Sequence, residues 1–136
     1  MKLSITFAIL AVGLAPAWAQ FAVRVSPSKI IGQKAVVPLA LKNGLAEKVE
    51  SARAVVFLID EHGKVAAQGT RWIVGEDSPS DGLAVGATNA FLFVVASDRP
   101  FSSTNLTAKV TVTRVVLESG KLADPRRDVN VEPAQK

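Results

Sequence analysis

From Phe21 onward the apolar residues recur at every second position, and β-branched Val and Ile dominate the segments that carry them. "FAVRV" (Phe21 to Val25) puts Phe21, Val23 and Val25 on one face, and Ser26-Pro27 ends it. "KAVVPLALKN" (Lys34 to Asn43) aligns Val37, Leu39 and Leu41. Pro38 inside it cannot donate to a ladder, which predicts an edge strand or a bulge. "VESARAVVFLID" (Val49 to Asp60) carries Ala52, Ala54, Val56 and Leu58 on one face and Val55, Phe57 and Ile59 on the other. Two apolar faces predict a central strand covered on both sides.

"KVAAQGTRWIV" (Lys64 to Val74) follows after a tight connection, and "NAFLFVVAS" (Asn89 to Ser97) lies beyond the polar loop "EDSPSDG" (Glu76 to Gly82). "LTAKVTVTRVVLES" (Leu106 to Ser119) alternates most cleanly, with Leu106, Ala108, Val110 and Val112 inward. Arg114 then falls on the inward parity, which predicts a bulge or the strand's exit from the core. "DVNVE" (Asp128 to Glu132) reads as a last short strand. No stretch reads as helix, and no internal repeat is visible. About seven strands punctuated by Gly, Pro, Asn and Asp predict an all-β, antiparallel sandwich of immunoglobulin type over residues 20–132. A closed barrel is the alternative. The uneven strand lengths and Pro38 favour the sandwich.

The first residues follow a different pattern. Lys2 precedes the apolar run "LSITFAILAVGL" (Leu3 to Leu14), Pro16 breaks it, and Ala17-Trp18-Ala19 fits the small-x-small cleavage rule. The run falls short of the ~20 apolar residues that span a bilayer. Residues 1–19 therefore read as a signal peptide, with Gln20 the first mature residue and an uncleaved anchor the competing reading. A secreted or periplasmic location follows, with membrane contact only through the transient leader. Residues 133–136 read as a flexible tail.

Composition narrows the function classes. The chain contains no cysteine, so it has no disulfide, no thiolate metal site and no thiol nucleophile. A domain this long buries about two-thirds of its unfolded surface and can hold together by packing alone. The net charge of +4 falls by one when Lys2 leaves, and the basic residues are scattered. A nucleic-acid surface calls for a basic stripe with interleaved aromatics, which this pattern lacks.

The only histidine, His62, sits in "DEHGK" beside Asp60 and Glu61. The segments on both sides alternate as strands, and Gly63 supplies the positive φ of a hairpin loop. Asp60 can accept from the turn's own amides. An acid–base site needs convergent groups in a cleft, whereas a hairpin tip spreads them into water. One histidine and two acids lack the ligand count of a zinc site. There is no G-x-S-x-G elbow. Glu76, Asp77 and Asp81 lack the calcium-loop spacing. No catalytic residue, metal site or cofactor is expected, and the chain reads as a non-enzyme. Trp72 is either core or a platform for a sugar ring. Asn105-Leu106-Thr107 is a glycosylation sequon that matters only in a eukaryotic secretory pathway.

Residues 37–95 resemble the FxLYD-type domains of bacterial secreted proteins. "LKNG" is similar to the family's first turn, through Asn43 and Gly44. "VFLID" occupies the motif, with Leu58 and Asp60 matching and Val56 and Ile59 replacing the two aromatic positions. "EHGKV" resembles the following turn through Gly63, and "LAVGATNAF" the glycine-led strand through Gly86 and Phe91. The resemblance implies an immunoglobulin-like fold and a non-catalytic, accessory role, and carries over no ligand residue. The expected function is protein–protein contact as a subunit or accessory of an envelope or surface assembly. The expected contact points are edge strands at Phe21, Val23 and Val25 or at Val129 and Val131. A carbohydrate-binding module using Trp72 is the alternative.

Overall fold

A computed structural model describes residues 19–76 and 81–134. The cleavage motif as a whole, Asp77 and the end of the tail lie outside the described residues. The chain runs β1 (Phe21–Val25), β2 (Lys29–Ile31), β3 (Lys34–Asn43), β4 (Val49–Ile59), β5 (Val65–Val74), β6 (Thr88–Ala96), β7 (Thr107–Leu117) and β8 (Val129–Glu132). Among the described residues there are eight strands where about seven are expected. The additional one, β2, is three residues long. It is too short to show periodicity and forms by pairing back onto Lys34–Val36.

The strands form two sheets, β5-β4-β7 and a second sheet in which β3 is flanked by β6 on one side and by β1 and β2 on the other. The expectation of a fully antiparallel arrangement is corrected by β8, which runs parallel to β1 from Phe21↔Val129 to Arg24↔Glu132. The segment between β7 and β8 carries the chain from one sheet to the other. Such a crossover permits a parallel return that a tight hairpin forbids. No ladder joins β5 to β6 or β7 to β8 among the described residues, so the architecture is two layers and not a closed barrel. Arg71 instead reaches from β5 and donates through Nε to the Val94 carbonyl at 3.0 Å.

Alternation produces the core directly. Phe21, Val23, Val37, Leu41, Phe93 and Val95 face Ala52, Ala54, Val56, Leu58, Ile73 and Val115 across the layers, and all are almost fully buried. Val55, Phe57 and Ile59 are only half-buried. Strand β4 is central in its sheet, but its outer-face residues stay partly exposed, which corrects the expectation of burial on both sides. The inward parity of Arg114 resolves as a bulge. Arg53 pairs with Arg114 and Ala54 with Val112, so the extra residue between them lets Val115 return to the core.

Pro38 does not mark an edge, because β3 is paired on both sides. Ser26 donates its N–H to the Pro38 carbonyl at 3.0 Å. A strand residue points its N–H and C=O toward the same neighbour. The proline nitrogen therefore faces the break between β1 and β2, outside both of their ladders. The proline is tolerated in an interior strand because the adjacent strand is interrupted opposite it.

Candidate functional site

"DEHGK" folds as the tip of the β4–β5 hairpin. The Asp60 Oδ1 accepts from the backbone N–H groups of His62 and Lys64, both at 2.9 Å. Gly63, at φ 80°, supplies the left-handed residue. The N–H of Lys64, followed by that of His62, holds the Asp60 carboxyl below the ordinary aspartate value. These bonds serve the turn and leave His62 and Glu61 exposed. Glu76 and Asp81 are likewise exposed. No three acidic or histidine side chains converge as metal ligands among the described residues. Asn105 is exposed, and its N–H bonds to the Ser103 hydroxyl oxygen at 3.0 Å.

Asn43 is more than the turn residue expected. It is fully buried. Its Nδ2 donates to the carbonyls of Glu47 and Leu83, and its Oδ1 accepts from the Leu45 N–H, each at 2.9 Å. Gly44 donates to the Gln20 carbonyl, and Gly86 donates to the Asn43 carbonyl. The three residues thus tie the β3 end to the loop before β6. A polar residue between a strand and a glycine suggests a turn, and only the fold shows how many segments meet there.

Two sequence-predicted contact strands separate. Phe21, Val23 and Val25 are buried on a strand paired on both flanks, so β1 is not an edge. The sequence misleads here because β8, which covers β1, lies more than a hundred positions away. Val129 and Val131 are half-buried on β8, which among the described residues is paired on one flank only. Between β8 and the nearby edge of β7 lies an apolar cleft of about 370 Å³, lined by Val25, Ile59, Ala108, Val110, Val131 and Pro133 among others. The turn entering β8 is fastened by Asp128. Its Oδ2 accepts from the Asp124 N–H at 2.8 Å, and its Oδ1 accepts from Arg127 Nε at 3.2 Å. The same two partners, in that order, hold the Asp128 carboxyl below its ordinary value.

Trp72 points outward from β5 and is half-buried, so the reading of it as a core residue is set aside. The Arg53 guanidinium lies over its ring at 5.8 Å from the centroid. A cleft of about 280 Å³ beside it is lined by Arg53, Thr70, Arg71, Trp72 and Phe91. A broader depression of about 620 Å³ on the other sheet has a floor of small residues, including Ala22, Ala40 and Ala90, and is also lined by Arg24, Lys42 and Glu132. No protein-family model matches the chain, and no curated protein matches it.

Proposed function

We propose that the chain is an exported, immunoglobulin-like module that works by protein–protein contact as a subunit or accessory of an envelope or surface assembly, and catalyses no reaction. The observation that carries this reading is the unpaired flank of β8 beside the apolar cleft floored by Ala108 and Val110. Edge strands that are not blunted are templates for another strand. A partner segment laid along β8 would pair its main chain and seat alternate side chains in the cleft. The leader-like residues 1–19 support export to the periplasm or beyond, and the FxLYD-type resemblance supports an accessory role. The test is deletion of Asp128 to Lys136, which should weaken self-association or partner binding more than it weakens folding. A chain that stays monomeric and binds no envelope protein with β8 intact overturns the reading.

A second reading, a carbohydrate platform, is favoured by the outward position of Trp72 at the mouth of a cleft. Titration with oligosaccharides tests it, since stacking on the ring would change the indole emission.

A further inference from the structure

We propose that the Trp72 cleft takes a uronate, a carboxylate-bearing unit of an acidic polysaccharide, with Arg53 and Arg71 lining the cleft and Arg114, on the far side of Arg53, adding to the positive potential. This rests on the carbohydrate-platform reading and adds the ligand's chemical class.

The backbone is irregular on both sides of Arg53. Its register with β5 shifts between Ala52 and Arg53, and its register with β7 shifts between Arg53 and Ala54. Bulges re-aim side chains and concentrate next to sites. The result here is one outward row, Trp72–Arg53–Arg114, across all three strands of the sheet. Like charges directly opposite on neighbouring strands oppose each other. Arg53 and Arg114 form such a pair, and neither has a side-chain hydrogen bond or ion pair among the described residues. The ion pairs found there are Arg24–Glu132 and Arg127–Asp128, both elsewhere. Strands β5 and β7 contain no acidic residue, and β4 contains only Glu50. The next outward row is neutral, with Thr70, Val55 and Thr111. Among the described residues no carboxylate forms an ion pair with this row, and an anion placed beside it would relieve the repulsion.

The shape selects the kind of anion. Trp72 and Phe91 offer apolar surface to the cleft, and Thr70 offers a hydroxyl. Lying over the indole, the Arg53 guanidinium is a planar fork of donors that matches a carboxylate. Arg71 is anchored through Nε to the Val94 carbonyl, so its position at the cleft is set by the fold. At about 280 Å³ the cleft lies just below the usual range of ligand pockets, which restricts it to a small unit such as a single ring. A ring with an apolar face and one carboxylate satisfies both sets of groups.

Calorimetric titration of the full chain with a galacturonate trimer, the same trimer methyl-esterified, and triglutamate tests the proposal. Binding of the acidic trimer should weaken at least about tenfold on esterification. Arg53→Gln should weaken it about tenfold and Arg114→Gln by less, and neither should lower the unfolding temperature, since both side chains are exposed and each change relieves their mutual repulsion. Equal binding of the esterified trimer overturns the uronate assignment and leaves the platform standing. Failure of both trimers overturns the two together. Triglutamate binding as tightly as the uronate overturns the sugar class in favour of an acidic peptide.

Discussion

Asn43 Nδ2 donates to the carbonyl oxygen of Leu83 at 2.9 Å across a separation of 40 residues. Buried polar groups are costly when their partners are removed. Asn43→Ala leaves the Leu45 N–H and the Leu83 carbonyl without this partner and should destabilise by about 2–4 kcal/mol. Asn43→Asp preserves the shape but replaces two N–H donors with oxygen facing two carbonyls. It should cost at least as much as the alanine variant. Urea unfolding midpoints of the two variants check this, and a near-neutral Asp variant would contradict it.

The hairpin tip predicts an order of effects. His62→Ala should stay within about 0.5 kcal/mol, as for other exposed positions. Gly63→Val should cost about 1–2 kcal/mol, because a β-branched residue resists the φ of 80°. A Cβ at Gly63 meets nothing within 4 Å, so the cost there comes from the backbone conformation and not from a clash at Cβ. Asp60→Ala should lower the melting temperature more than His62→Ala does. Loss of a measurable activity in His62→Ala, with Gly63→Val tolerated, would overturn the turn assignment and the non-enzyme reading together.

Gly75 differs from Gly63 in a way that thermal unfolding can detect. It too is left-handed, at φ 66°, but a Cβ there would overlap the Glu50 carbonyl oxygen and crowd Ser51. Gly75→Ala should therefore cost more than Gly63→Ala, on the order of 3 kcal/mol. Equal melting temperatures for the two alanine variants would show that the β4 end yields freely.

Acid should loosen the turn that leads into β8. The Asp124 N–H and the Arg127 guanidinium lower the Asp128 pKa in the folded chain. A lowered folded pKa contributes stability above the unfolded value, about 3.9, and that contribution is lost as the pH falls through the folded value. The stability gap between the native chain and Asp128→Asn should therefore be widest above about pH 4 and shrink as the pH falls below it. Denaturant unfolding across that range measures it, and a gap that widens in acid would reverse the assignment.

Alternation along Ala52–Leu58 and Ala108–Val112 was enough by itself to identify strands and their inner faces, because side-chain direction in a strand has a period of two and water selects the face. The Arg114 bulge and the "DEHGK" hairpin were legible for the same local reason: a broken parity and a glycine between two alternating runs. Which strands lie at edges was not legible. Pro38 looks like an edge signal until the β1–β2 break is seen opposite it, and β1 looks open until β8 returns alongside. The outward placement of Trp72 over Arg53, and of Arg114 on Arg53's other side, depends on two register shifts. Pairing partners are chosen by closing the two-layer core, so neighbours far apart in sequence decide edges, registers and candidate sites.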